Sequence, residues 1–209
     1  MKLPLKVVLL IALSVAQAGA AALSIVRYET TLALGTLHKI ETAPVDPADP
    51  FRGRYVAIRP ALPLASPVSS EAERLVGSVG TFRGRGAGVG KAYVVLTAGA
   101  DGFARASAIV AEPPASGDFL EFTQTDLRLA RAAEGGRPAE FERMVVLPFD
   151  RYYMSESAAP AAEQRYREAS RRNDQTRAWV TVRVRNGRGV VEGLYIDGVP
   201  IEVAAQRAQ

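Results

Sequence analysis

No cysteine occurs anywhere in the 209 residues. Disulfides, a thiolate nucleophile and any cysteine-bound metal are therefore excluded. Histidine is nearly absent too: His38 stands alone, and one imidazole cannot build a multi-histidine metal site. Lysine occurs only at positions 2, 6, 39 and 91, so the basic side chains are almost all arginine. Together with abundant alanine, that bias reads as the codon usage of a GC-rich bacterial genome rather than as function. A basic excess is also missing, despite a formal charge of +4. Without Lys2 and Lys6, 24 basic residues face 22 acidic ones. Only Arg165 to Arg172 is locally basic, and Glu168 interrupts it. That is too little for a stripe that tracks phosphates, so nucleic acid is not expected as a partner.

What the chain has instead is a long apolar run near its start. Val7 to Val26 carries no charge, with Lys2 and Lys6 before it and Arg27 closing it. As a helix its twenty residues would measure about 30 Å, the thickness of a bilayer's hydrocarbon core. In one reading the lysines stay in the cytoplasm, residues 7–26 span the membrane through contact with lipid, and residues 27–209 are exported. In the other, Val7 to Val15 is the apolar core of a signal peptide cut near Ala18, which releases the rest. Apolar character continues through Leu23, Ile25 and Val26, past that cleavage point, so length and flanks favour an uncleaved anchor. The expected organisation is a cytoplasmic tip (1–6), a transmembrane helix (7–26) and a periplasmic domain (27–209), held in a bacterial inner membrane. About 180 residues suffice for one good core.

Strand signals dominate the exported part. Thr36 to Thr42 alternates apolar and polar residues, and Asp-Pro turns fill 43–50. Short strands are expected at 55–59, 92–97, 103–111, 118–124 and 143–147, with a turn at Ala100-Asp101-Gly102. Leu62 to Ser70, holding Pro63 and Pro67, reads as loop. Glu71 to Val76 fits a helical turn or a strand, and Asp126 to Glu134 a short helix or a strand. Ala159 to Arg172 has helical composition, with Pro160 in its first turn. Asn186-Gly187, between the valine-rich runs 178–185 and 189–196, marks a tight hairpin. The class is mostly β (α+β): an N-terminal transmembrane helix, then one antiparallel β-rich domain with one or two short helices.

Candidate chemistry is sparse. Gly84 to Lys91 superficially resembles a phosphate loop, but Arg85 stands where glycine is required and Ala92 where Ser or Thr would follow the lysine. A Ser-Lys dyad would have to join Lys91 to Ser66, Ser69, Ser70 or Ser155. A triad built on His38 lacks a nucleophile elbow. No cofactor is expected. Tyrosines cluster in Phe149-Asp150-Arg151-Tyr152-Tyr153-Met154, and Tyr195 sits in Gly193-Leu194-Tyr195-Ile196-Asp197-Gly198. Such pairs serve either as a binding edge or as core residues whose hydroxyls reach a partner.

The same segments carry a family resemblance. Asp46, Asp49, Gly53, Tyr55 and Ile58 lie in a run that resembles the signature of the GDYXXLXY family of bacterial membrane-anchored proteins. Arg54 replaces that motif's aspartate and Pro60 its final tyrosine. The likeness continues in order through the preceding apolar helix, a YVVL strand, the Arg151-Tyr152-Tyr153 segment and the strand holding Tyr195, Asp197 and Gly198. It implies a single-pass anchored periplasmic domain, often encoded beside a polytopic membrane protein. The resemblance thus implies a partner class, an integral membrane protein, whereas it implies no catalytic residues. The motif residues are expected to be structural: Gly53 permits a close backbone approach, and Asp46 and Asp49 with their prolines fix the turn before it. Gly53→Val is accordingly expected to lower the melting temperature of the exported domain, and an unchanged value would defeat that role.

Overall fold

The computed structural model describes residues 4–42, 55–64, 69–76, 90–123, 128–131, 143–155, 157–171 and 177–206. The first element is a helix, α1 (Leu5–Leu34). It contains the apolar run and continues eight residues past Val26, through Arg27 and Glu29. Charges end the apolar stretch there without ending the helix, because arginine, glutamate and leucine are good helix formers. It is the one helix among the described residues long and apolar enough to cross a membrane, and none of its apolar window is buried by the rest of the chain. Thr31, near its C-terminal end, is the exception on the helix as a whole, at 3% exposure.

A β-rich domain follows, made of β1 (Thr36–Glu41), β2 (Tyr55–Ala57), β3 (Ala61–Leu64), α2 (Ser70–Val76), β4 (Lys91–Ala98), β5 (Ala104–Val110) and β6 (Phe119–Thr123). After these come β7 (Arg128–Arg131), β8 (Arg143–Val146), β9 (Arg151–Tyr153), α3 (Ala159–Arg171), β10 (Ala178–Arg185), β11 (Arg188–Ile196), β12 (Val199–Pro200) and α4 (Ile201–Gln206). The strands form a four-stranded sheet in the order β1-β10-β11-β12, a six-stranded sheet in the order β6-β4-β5-β3-β8-β7, and a β2–β9 ribbon. All ladders are antiparallel except the single β3–β5 pair, Leu64 opposite Ala106. Isolated bridges join the two large sheets, Lys39 to Phe103 and Leu120 to Gly187.

Between the sheets lies one core. Ile40, Val180, Val182 and Leu194 from the four-stranded sheet meet Leu62, Val94, Ile109, Leu120 and Val145 from the six-stranded one, together with Tyr166 of α3 and Ile201 of α4. Asn186 (φ 49°) and Gly187 (φ 79°) turn the β10–β11 hairpin as the Asn-Gly signal requires. Asp197 (φ 49°) and Gly198 (φ 83°) make a second such turn into β12.

One expectation is corrected here. The segment 62–70, read as loop from its prolines, begins as β3 and ends at the start of α2. Pro63 is opposite Met144 of β8, and β3 meets β5 at one residue pair alone. The proline nitrogen therefore interrupts no long ladder, the circumstance in which a strand tolerates it. The ambiguous segments resolve as helix at 70–76 and strand at 128–131. The glycine-rich run 84–89, and with it the phosphate-loop resemblance, lies outside the described residues; Lys91 opens β4.

Candidate functional site

The β2–β9 ribbon brings two distant motif segments face to face. Tyr55 is opposite Tyr153, Val56 opposite Tyr152 and Ala57 opposite Arg151. Alternation along a strand then sorts the side chains. Val56 and Tyr152 turn inward, with Val56 fully buried. Tyr55, Arg151 and Tyr153 share the outer face. The Tyr55 and Tyr153 rings meet edge to face, with centroids 5.9 Å apart. The Arg151 guanidinium carbon lies 5.2 Å from the centre of the Tyr55 ring, within the range of a cation–π contact. A side-chain hydrogen bond with Tyr153, then the Asp150 carboxylate, holds Arg151 still more firmly in its charged form. Tyr153 is 66% exposed, unusual for a ring in so ordered a setting.

Behind this face lies a polar support. The Tyr152 hydroxyl donates to Glu202 Oε1 of α4 at 2.5 Å. Desolvation, then this hydrogen bond and the Glu202 charge, push the phenol well above its ordinary value of 10, with smaller contributions from Tyr195 and Tyr28. A raised folded-state value stabilises fully below the unfolded value and is lost as pH climbs toward the folded one. Tyr152→Phe is therefore expected to lower stability by about 1.5 kcal/mol at pH 8, and that deficit is expected to narrow above pH 10. Denaturant midpoints of both proteins in micelles at pH 8 and pH 11 check this; a deficit as wide at pH 11 would sink the idea.

Tyr195 belongs to an adjoining stack. Its ring lies parallel to Trp179, 10° apart at 5.8 Å, and Trp179 meets Phe103 edge-on at 5.7 Å. Arg177 covers the Phe103 face at 4.4 Å. Its Nε is 2.9 Å from Glu41, whose side chain is 8% exposed, and its NH2 group 3.6 Å from Asp101. Asp197 fixes Arg177 from the other side: its carboxylate accepts the Arg177 N–H at 2.7 Å, and its own N–H donates to the Arg177 carbonyl at 2.9 Å. Burial pushes the Asp101 carboxyl up, but the Phe103 N–H, Arg105 and Arg177 outweigh it and hold it below the usual carboxylate range.

The last turns of α1 pack on β10 and β11. Gly35, just past the helix, lies against the Val184 backbone, and Arg183 donates to the Gly35 carbonyl at 3.3 Å. Seven residues back, Tyr28 is within electrostatic reach of Tyr152. Tyr195 of β11, opposite Trp179, lies at the other end of this sheet from Val184, which faces Gly189, whereas Tyr152 belongs to the β2–β9 ribbon.

Tyr55, Arg151, Tyr152, Tyr153, Tyr195, Asp197 and Gly198 thus fall in one region. Ile58 does not join them as a surface residue: it is 3% exposed, a core side chain whose N–H donates to the Asp150 carbonyl at 3.1 Å. Asp46, Asp49 and Gly53 lie outside the described residues. His38 Nε2 is 3.0 Å from Asp118 Oδ2, with Thr36 at 3.4 Å from the same carboxylate. Lys91 is 2.7 Å from Glu121, whose hydrogen bond and charge raise its pKa. The Ser69 hydroxyl accepts the Ala72 N–H at 3.1 Å as a cap of α2. Glu202, Trp179, Arg177 and Tyr28 had no signal in the sequence, since each acquires its meaning from a partner far along the chain. Among the described residues, no group of three or more His, Asp or Glu side chains is arranged to hold a metal ion.

The family model of the GDYXXLXY protein matches residues 17–194. No curated protein and no solved structure matches the chain. The match begins within α1, takes in the ribbon with Tyr55, Arg151, Tyr152 and Tyr153, and ends at Leu194 of β11, one residue before Tyr195. By that coverage the chain belongs to the GDYXXLXY family.

Proposed function

We propose that this protein is a membrane-anchored accessory module that pairs with an integral membrane protein. In this reading α1 spans a bacterial inner membrane with its N-terminus in the cytoplasm, and the β-rich domain stands in the periplasm. The observation that carries it is the Tyr55–Arg151–Tyr153 face, on which Arg151 and Tyr153 are exposed and Tyr55 is half-buried. Tyrosine and arginine are the residue types that concentrate binding energy at protein interfaces, above all when their rings are held rigid. Here a two-stranded register, an edge-to-face pair and a cation–π contact hold them. The test is a photo-crosslinker placed along α1 and at Tyr153 in intact membranes, followed by pull-down of the full-length chain. A covalent complex with a polytopic protein is expected, and recovery of the chain alone from every position would defeat the proposal. Peptide mapping of the mature N-terminus decides between an uncleaved anchor, which retains residues 1–18, and cleavage near Ala18.

A second reading, a membrane-tethered hydrolase using Lys91 or His38, has one observation in its favour: the His38–Asp118 contact orients an imidazole as a general base requires. Lys91 has the opposite tendency, because Glu121 keeps it protonated where a lysine base needs a lowered pKa. His38→Ala and Lys91→Ala are each expected to leave complementation of a deletion strain unchanged. Loss of complementation by either, with the protein still folded, would favour the hydrolase.

A further inference from the structure

Gln17 stands near the middle of the apolar run, ten residues after Val7 and nine before Val26. At about 1.5 Å per residue it lies roughly 14 Å from either end of the run, which is the centre of a hydrocarbon core about 30 Å thick. The run holds two other polar side chains, and each is satisfied within α1. The Ser14 hydroxyl donates to the Leu10 carbonyl and the Ser24 hydroxyl to the Ala20 carbonyl, both at 3.0 Å. Gln17 has no such bond. Its side chain is exposed and meets no hydrogen-bonding partner among the described residues. In hydrocarbon no water replaces what the amide lacks, so its donors and acceptor require another side chain.

The helix also gives that amide a direction. α1 runs unbroken from Leu5 to Leu34. Successive residues turn by about 100°, so Ser24 lies about 20° from Gln17 around the axis, Thr31 about 40° and Ser14 about 60°. All three polar residues of the run therefore share one side of α1. Val8, Val15, Ala22 and Val26 form the opposite side, which is wholly apolar and suited to lipid. Thr31 is the residue of α1 that the domain buries, and the last turns of the helix pack on β10 and β11. The Gln17 side of α1 thus points beneath the β-rich domain.

Given the anchored pairing proposed above, we infer that this side of α1 docks a transmembrane helix of the integral membrane partner, and that an amide or hydroxyl side chain of that helix pairs with Gln17 near the centre of the bilayer. Hydrogen bonds of this type join helices in lipid, where apolar contact alone gives little preference for a neighbouring helix over lipid tails. Gln17 offers donors and an acceptor but no charge. An amide or hydroxyl answers both, whereas a carboxylate or ammonium ion would keep an uncompensated charge at that depth. A second copy of this chain would also present an amide at the right level. Its own β10 and β11, however, lie against its own Thr31, so two such seams would drive both domains into the same space. A helix of a polytopic protein that ends at the membrane surface passes beneath the domain without that conflict.

Photo-crosslinkers at Ala21, about 40° from Gln17, and at Ala22, about 140° away, test this with the full-length chain in intact membranes. Ala21 is expected to give adducts on a transmembrane peptide of a polytopic protein at several times the yield from Ala22. Gln17→Leu should cut the Ala21 yield several-fold and leave the melting midpoint of the domain unchanged. Gln17→Asn, which keeps an amide, should recover part of that yield. Equal yields from the two sides, adducts on lipid alone or on a second copy, or an unaffected Ala21 yield in Gln17→Leu would each overturn the inference. So would a mature chain cut near Ala18, which would lack Gln17. Capture at Tyr153 without capture at Ala21 would leave the pairing standing and remove only this docking side. Capture at no position would instead defeat the pairing itself.

Discussion

Replacing Gly35 by valine is expected to lower the unfolding midpoint and to free the foot of α1 from the sheet. The residue sits at the joint between α1 and the β-rich domain. A side-chain carbon built there would stand 2.4 Å from the Thr31 carbonyl oxygen and 3.1 Å from both the nitrogen and the oxygen of Val184. All three are backbone atoms, so no rotamer change relieves the contact. The backbone itself is ordinary (φ −77°, ψ 151°), and the requirement for glycine is therefore one of space and not of conformation. Relief demands that the last turn of α1 lift from β10, which exposes Thr31 and strains the Arg183 hydrogen bond to the Gly35 carbonyl. Overpacking of this kind costs about 3 kcal/mol. In a domain of this size that is a fall of roughly 6–12 °C in midpoint, measured by circular dichroism of the full-length chain in micelles. Limited proteolysis is expected to cut between Tyr28 and Thr36 faster in the variant. Gly19→Val is the control, since nothing lies within 4 Å of a side chain there. Equal midpoints for Gly35→Val and Gly19→Val would show that α1 and the domain are not locked together.

That joint could not be read from the sequence, although both of its halves were. The apolar run to Val26 and the alternation from Thr36 to Thr42 were each visible, because helix and strand periodicity are local properties. What happens between them depends on Val184 and Arg183, nearly 150 residues later. The same division runs through the rest of the fold. The hairpin at Asn186-Gly187 was legible because two consecutive residues at positive φ are a local demand that Asn-Gly meets. The second positive-φ turn, at Asp197-Gly198, is marked in the sequence by its motif and not by flanking strand patterns, since the strand after it, β12, has only two residues. β3 was misread because proline is a reliable local signal against a strand, whereas its tolerance depends on which neighbours need the missing N–H.

The candidate site divides in the same way. Tyr55 and the Arg151–Tyr153 segment were marked as motif residues, but nothing in the sequence says that they are cross-strand partners. The support behind them is a contact of sequence separation 50, Tyr152 to Glu202, and Glu202 lies in a six-residue helix with no composition signal of its own. Ile58, expected to be structural with the other motif residues, is a core side chain.

Trp179→Ala is expected to be among the most damaging single truncations on the outer face of the four-stranded sheet. Trp179 sits on β10 between Glu41 of β1 and Tyr195 of β11, and its ring joins Tyr195, stacked on it, to Phe103, which meets it edge-on. Removing it uncovers Phe103, now 7% exposed, and takes away the wall against which Arg177 and Tyr195 are set. Loss of a large packed aromatic costs about 3 kcal/mol, and the two ring pairs are worth about 0.5–1.5 kcal/mol each within or beyond that figure. The midpoint is again expected to fall by roughly 6–12 °C, while Trp179→Phe, which keeps a ring in place, should lose less than half as much. Tyr153→Ala separates stability from recognition. Its side chain is 66% exposed, and truncation of so exposed a residue ordinarily changes stability by about 0.5 kcal/mol or less. Yet on the proposed function it removes half of the Tyr55–Tyr153 pair and should abolish the membrane partner's capture from neighbouring crosslinking positions. A Trp179→Ala midpoint within a degree of the parent would mean that the stack is decoration on the sheet. A Tyr153→Ala protein that folds normally and still captures the partner at full yield would move the interface elsewhere on the domain.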